Sequence, residues 1–389
     1  MTDQSNSTAK HTPLYENHAA RGARMMAFGG WMLPVNFGSQ VEEHHACRND
    51  AAMFDVSHMT IVDITGSTDT MVAQTFLRQL LCNDVQKLSG QGDALYTCML
   101  REDGGVIDDL IVYWRGGDNY RLILNAATRT KDLQWIEDRI AQLPDKPSIS
   151  LRDELALIAV QGPAALQRFF DVLARTELAG KLDADSYTGD AIRRFGSVEI
   201  GDYFVGRTGY TGEDGVEVSL PSEDAAPLWD ALVEASVQPA GLGARDTLRL
   251  ESAMNLYGSD MDESVNPYES GIGWCVDMTD TAREFTGREA LQTSAKDNGF
   301  DKQLIGIELK DLGVLRGGQN ILVNGQEAGV TTSGSFGPTL EKSIALARVS
   351  LAACNVSKVA ELPGQDCQVV IRNKTLDATC VRKPFYKRT

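Results

Sequence analysis

The sequence predicts an α+β protein that ends in a small all-β domain. Three observations carry this. Between residues 60 and 143, strand-like runs precede one amphipathic helix, the segregated order of an α+β domain. The stretch "ISLRDELALIAVQGPAALQRFFDVL" then reads as a strand, a Gly162-Pro163 turn and a helix. Beyond Thr281–Gly287 the chain becomes a series of short strands punctuated by glycine, the pattern of a small barrel or sandwich.

Each element has a local reason. Residues 1 to 12 are polar and predict disorder, and from Thr12 to about Asp63 the chain reads as irregular, rich in Gly, Met and His. Ser67 or Thr68 would cap a helix reaching Leu81, because Met71, Val72, Phe76, Leu77 and Leu80 recur at helical spacing. "GDALYTCMLREDGGVIDDLIVYWRGGDNYRLILNAATR" predicts three antiparallel strands turned at Gly104-Gly105 and Gly116-Gly117-Asp118. "TRTKDLQWIEDRIAQL" predicts an amphipathic helix. Pro163 suits a first helical turn, where its missing N–H is harmless. Strands are expected near 193–207 and 216–220, then helices over "DAAPLWDALVEA" and "ARDTLRLESAMNLYG". A domain boundary falls near 280–300.

The chain has 389 residues, which points to two or three domains, and a net charge of −17. Such an acidic chain is a poor nucleic-acid binder, since phosphate contacts need clustered Lys and Arg. The seven cysteines, Cys47, Cys82, Cys98, Cys275, Cys354, Cys367 and Cys380, are scattered without a CxxC, which argues against a disulfide framework and for a reducing compartment. No apolar run approaches the roughly 20 residues of a membrane helix. The stretch "MTDQSNSTAKHTPLYENH" has neither a secretory core nor a transit-peptide pattern, so a cytoplasmic location is expected.

Four stretches hold candidate chemistry. In "REDGGVIDDLIVYW", Asp108 and Asp109 lie inside an apolar strand, where neighbours point to opposite faces. One acid therefore faces inward. It is either half of an internal salt bridge or a ligand-anchoring or catalytic carboxylate on a rigid strand. "TGYTGEDGVEVSL" has Gly209, Gly212 and Gly215, but the run enters a strand instead of opening a helix, so a nucleotide loop is excluded. It is a hairpin turn with φ > 0 positions, or a turn that brings Tyr210 and Glu217 to an amino-heterocycle.

In "GLGARDTLRLESAMNLYG", Arg245 and Arg249 share one face of a buried helix. They need a carboxylate or an aromatic plane, and Asp246 and Glu251 are at hand. "EEHHACRNDAAMFDVSHM" holds His44, His45, His58 and Cys47, yet zinc spacings and HExxH are absent, so no metal is expected. Asp55, Ser57 and His58 are triad residue types, but a hydrogen-bonded turn accounts for them better.

Taken in order, "TPLYENH", "GGWMLPVNF", "DVSHM", "GGVIDDLIVY", "GYTGEDGVE", "GLGARDTLRLE" and "NLYGSDMDE", with "GVLRGG", "TSGSFGPTL" and "SIALARV" near the end, resemble the T-protein family of the glycine cleavage system. These are tetrahydrofolate-dependent aminomethyltransferases. The resemblance implies a three-domain cloverleaf around a central folate channel. Its domains would be 13–60 with 145–280, 61–144 carrying Asp108, and a barrel-like 285–389. It implies transfer of the methylene carbon of an aminomethyl group on the lipoyl arm of H-protein to tetrahydrofolate. The products would be 5,10-methylenetetrahydrofolate, ammonia and the dihydrolipoyl arm.

Carried over residue by residue, Asp108 would be the catalytic carboxylate, with Asp109 facing outward. Glu217 would bind the amino-pyrimidine edge with Tyr210 beside it, and Arg245 would bind polar folate atoms. Tyr96 and Asn125 would line the same cavity, and Met59 would cover the pterin or lipoyl side. No metal or nucleophilic residue is needed, since folate carries the one-carbon chemistry. Related folate-dependent demethylases differ around the acid pair, and a non-enzymatic folate-binding relative carries a "KGCYxGQ" motif that is missing here. The run Arg382, Lys383, Lys387 and Arg388 is basic and would be a solvated tail, or meet an acidic partner or the polyglutamate of folate.

Overall fold

The computed structural model describes residues 9–176, 192–297 and 299–388. The disorder expected over 1–12 falls outside the described residues up to residue 8. Beyond it, Lys10–His11 pair in parallel with Trp31–Met32. The expected irregularity of 12–63 is corrected by the structure. This stretch holds helices Tyr15–Ala20 and Gln40–Asn49 and strands Arg24–Phe28, Trp31–Asn36, Ala52–Asp55 and Thr60–Thr65. The strands are short. The second helix is dominated by charged residues and histidine, so it shows little apolar periodicity, and the Ser39 hydroxyl caps it by accepting from the Glu42 N–H at 3.3 Å.

The chain divides into two compact units. The first comprises Met1–Gln74, Gln86–Leu95 and Ile111–Asp246; the second comprises Thr75–Val85, Tyr96–Leu110 and Thr247–Thr389. In the first unit a six-stranded sheet runs in the order Ser197–Ile200, Tyr203–Gly206, Gly215–Pro221, Leu155–Gln161, Ala52–Asp55, Gln238–Pro239. Helices Ala165–Leu173 and Ser222–Glu234 cover it, and the core between them includes Ile158, Val218, Phe169 and the fully buried Trp229. Fixing Glu217 in the middle of this sheet is the packing's main consequence for the site: it stands opposite Ala159 on one side and Gly206 on the other.

The three strands expected around the acid pair are Ala94–Leu100, Val106–Gly116 and Asn119–Leu124. They continue through Thr60–Thr65 to Ser148–Leu151 in one sheet. The following helix, Arg129–Ala141, is as expected. The helix before the hairpin, Val72–Leu80, is capped differently from expectation. The Asp118 carboxylate, 45 residues downstream in the hairpin turn, accepts the Ala73 and Gln74 N–H groups at 2.9 Å each. A carboxylate on two end-of-helix donors outcompetes a serine hydroxyl, and Ser67 instead accepts from the nearby Asp69 N–H.

The second unit contains a closed six-stranded barrel, in the order Lys302–Leu309, Lys342–Ser350, Gln326–Gly337, Asn320–Val323, Asp366–Ile371, Lys374–Val381. Ile307, Ala345, Ala347 and Val369 lie in its core. No helix among the described residues is long and apolar enough to cross a membrane.

Candidate functional site

In the second unit the hairpin turn is shaped by close approach. A Cβ at Gly105 would lie 2.1 Å from the Glu263 carbonyl oxygen, and Gly104 has φ +86°. The Tyr257 hydroxyl donates to the Val106 carbonyl at 3.0 Å and fixes the strand as it leaves the turn. Alternation then separates the two acids as expected: Asp108 is 0% exposed, while Asp109 is half-buried.

Tyr96, expected to line the cavity from a strand flanking Asp108, donates its hydroxyl to Asp109 Oδ2 at 2.9 Å. Burial first, and then the Asp109 charge, push the Tyr96 phenol well above its usual range, so it stays a proton donor. Its ring stacks on Trp274, with centroids 5.3 Å apart and planes 27° apart; Trp274 is 68% exposed. Asp109 is thus the accessible member of the pair, held by a phenol beside an exposed aromatic face.

In the first unit, Glu217 Oε2 accepts the Thr208 hydroxyl at 2.7 Å, and Thr208 is in turn 2.7 Å from the buried Tyr113 hydroxyl. This leaves the Glu217 carboxyl on its strand with acceptor capacity to spare. Gly206 makes room for the chain, since a Cβ there would lie 2.6 Å from the Tyr113 oxygen. Gly209 is needed in the same way: a Cβ would lie 1.9 Å from Gln161 Oε1. In the turn, Gly212 supplies φ +81°.

Tyr210 presents its ring to Arg245, whose guanidinium carbon lies 4.6 Å from the ring centre. Arg245 Nη1 and His58 Nδ1 are buried with no hydrogen-bond partner. Burial, and then the Arg245 charge, lower His58 to about 4, so its ring is neutral at pH 7. Burial likewise lowers Arg245. Buried polar groups are normally satisfied, so the unpaired nitrogens of the Arg245 guanidinium and the neutral His58 ring stand out in this unit.

Met59 and Asn125 are half-buried in the same unit; the Met59 N–H donates to Val56 O at 3.0 Å, and the Asn125 carbonyl accepts the Thr128 hydroxyl at 3.0 Å. Within the first unit, then, Tyr210 and Arg245 meet, and within the second Tyr96 meets Asp109.

The other candidates resolve into structure. Asp55 accepts from Thr12 at 2.7 Å and from the Ser57 N–H at 2.9 Å, and lies 2.9 Å from His18 Nε2, the hydrogen-bonded turn anticipated for this stretch. Arg249 pairs with Asp260 at 2.8 Å, where Asp246 or Glu251 had been expected. Lys383, placed in the basic C-terminal run, is half-buried, and the loss of water around its ammonium lowers it to about 8. Arg382, Lys387 and Arg388 are exposed.

A cavity of about 400 Å³ in the first unit, lined by Arg115, Arg121, Arg152, Glu199, Tyr203 and Phe204, contains none of the expected site residues. Its arginines are engaged by Asp63, Glu154 and Glu199, so it offers no free cation to a ligand. Sequence reasoning missed the Tyr96–Asp109 bond, Trp274, Tyr113 and the altered state of His58. Only "GIGWCVD", a tryptophan among glycines, held a signal.

Two family models match the chain: the GCVT N-terminal domain over residues 14–280 and the glycine cleavage T-protein C-terminal barrel domain over residues 302–387. An aminomethyltransferase of Alcanivorax borkumensis is 49% identical over 97% of this chain and 97% of the relative. One from Legionella pneumophila is 46% identical over 98% and 99%. The solved structure of the glycine cleavage system aminomethyltransferase T from Bartonella henselae superposes with a TM-score of 0.85 at 30% identity, covering 97% of this chain and 98% of that one.

Fold, barrel and relatives together define a one-carbon transferase, an aminomethyltransferase. The chain belongs to the glycine cleavage T-protein family. The demethylase and non-enzymatic readings are not favoured by these relatives.

Proposed function

We propose that the chain moves the methylene carbon of an aminomethyl group, carried on the lipoyl arm of an H-protein, to tetrahydrofolate in the cytoplasm. The products are 5,10-methylenetetrahydrofolate, ammonia and the dihydrolipoyl arm. The observation that carries the assignment of roles is the half-buried Asp109 carboxylate held by Tyr96. The one-carbon chemistry belongs to the folate; the protein supplies recognition, orientation and charge.

Glu217 and Arg245 are suited to the folate ring. A strand-held carboxylate with spare lone pairs accepts paired N–H donors from an amino-pyrimidine edge. Arg245, braced on Tyr210 and with an unsatisfied Nη1, donates to ring or amide oxygen. Met59, Asn125 and Tyr210 supply contact surface. Of the acid pair, Asp109 is the better candidate to meet the reacting nitrogens, because it keeps exposed surface on the strand whereas Asp108 has none. Asp109 stabilises positive charge developing during transfer, or takes a proton from the reacting nitrogen. Asp108 then anchors the strand. The three-part division 13–60 with 145–280, 61–144 and 285–389 remains the domain reading that fits this assignment of roles.

The test is turnover with an aminomethylated carrier and tetrahydrofolate. Asp109→Asn is expected to keep folate affinity within several-fold and to lose about 10²- to 10⁴-fold in rate, the usual contribution of a positioned acid or base. Unchanged turnover in this variant removes Asp109 from the chemistry. If a stably folded Asp108→Asn shows the rate loss instead, the role passes to Asp108. Glu217→Ala is expected to weaken folate binding in calorimetric titration, and unaltered affinity takes it out of the ring site.

A further inference from the structure

Cys82, Cys98 and Cys275 reach one point from three separate segments of the second unit. Cys82 follows the helix Val72–Leu80, Cys98 sits on the strand Ala94–Leu100, and Cys275 ends the single turn Gly273–Cys275. All three are 0% exposed. Cys275 Sγ lies 3.9 Å from Cys82 Sγ and 3.9 Å from Cys98 Sγ, and all three sulfurs fall within 4.8 Å of one another. The transfer reaction uses none of them.

We infer that these three thiols form a trigonal site for a monovalent thiophilic cation, Cu(I). A metal–thiolate bond of about 2.3 Å puts three sulfurs around one ion at the corners of a triangle about 4.0 Å on edge. Two edges here are 3.9 Å, so loading requires only small side-chain adjustments. A disulfide, in contrast, needs two sulfurs to close to about 2.05 Å. The number of ligands selects the ion. Among the described residues the grouping contains three cysteines and no His, Asp or Glu. Zn(II) takes four ligands in structural sites, whereas Cu(I) is a soft ion suited to thiolates.

The surroundings are organised for it. The Cys82 N–H donates to the Cys98 carbonyl at 3.0 Å, and the Asp277 N–H to the Cys82 carbonyl at 3.0 Å, so the three segments are tied together before any ion arrives. Leu100, Val106, Met261 and Phe285 make the shell apolar. Loading releases the thiol protons to solvent and leaves net negative charge on the cluster. The buried Arg283 guanidinium, donating to the carbonyls of Leu81 and Asn83, places positive charge beside the Cys82 segment. In the barrel, Cys354, Cys367 and Cys380 are also buried but form no such grouping among the described residues, which makes them an internal control.

The test is anaerobic titration of the reduced full chain with Cu(I) held by bicinchoninate. The expected result is one equivalent transferred to the protein, with a near-ultraviolet thiolate-to-copper band that saturates at one ion per chain. X-ray absorption should count three sulfur neighbours. Cys275→Ser is expected to lose the band, and Cys367→Ser to keep it. Should Cys275→Ser fail to fold, the sulfur count on the unaltered protein is an independent check. The inference is overturned by any of four outcomes: no transfer from bicinchoninate, two sulfurs instead of three, a band that survives Cys275→Ser, or Zn(II) displacing Cu(I) one for one. It also falls if the freshly isolated protein has two fewer titratable thiols in denaturant, which would make the cluster a disulfide pair.

Discussion

His58 should write its own signature into the pH dependence of stability. In the folded protein its pKa is lowered from 6.5 to about 4, first by burial and then by the Arg245 charge, with Asp55 opposing both. A depressed histidine leaves the folded state binding fewer protons than the unfolded chain between these two values. Stability therefore rises with pH across that window, and falls as pH drops from 6.5 towards 4. At pH 7 the penalty is nearly zero. At pH 4.5 the unfolded histidine is almost fully protonated while the folded one is largely neutral, and the linkage relation then gives a loss of about 2 kcal/mol.

Urea denaturation at half-unit steps from pH 7.5 to 4.5 measures this, repeated on His58→Gln, which cannot titrate. Asp55 is also shifted, but downward from 3.8, so its contribution lies below the window. The wild type should lose about 2 kcal/mol more than the variant over that range. Parallel curves for the two proteins would mean that His58 is charged when folded, and the picture of a neutral ring beside Arg245 would be wrong.

Three further outcomes follow from close contacts. Gly206→Ala would put a Cβ 2.6 Å from the buried Tyr113 hydroxyl and should cost about 1–3 kcal/mol in a denaturant titration; wild-type stability would show that the ring yields freely. Asp118→Ala removes the acceptor for two helix N–H groups and should cost about 1–2 kcal/mol, read from the urea midpoint at unchanged slope; no change would mean that Ser67 takes over. Lys383, lowered to about 8, makes the wild type gain stability as pH rises from 8 to 10.5, and Lys383→Met should flatten that rise; an equal slope in both proteins would place the ammonium in solvent.

What was legible in the sequence was whatever repeats at short range. The alternation through Val106–Tyr113 gave the strand and separated Asp108 from Asp109, and the glycine-punctuated C-terminal runs gave the barrel strands. What was hidden depended on distant partners. Tyr96 chooses Asp109 across a hairpin, Asp118 caps a helix 45 residues upstream, and Arg249 finds Asp260 beyond the end of its own helix. Local spacing carries no information about such pairs. Burial is equally silent: nothing in "RKPFYKR" distinguishes the half-buried Lys383 from the exposed Arg382, Lys387 and Arg388.

Closure of the C-terminal barrel also limits how this part of the chain can be recognised. Each of its six strands is paired on both sides, from Lys302–Leu309 round to Lys374–Val381 and back. A sheet without an edge offers no row of free backbone groups on which another polypeptide could lay down a strand. It cannot template fibrils through its ladder, and it cannot capture a partner by main-chain addition. Any partner that docks against the barrel must be read by its side chains and loops, so its specificity lies in residues that substitution can change one at a time.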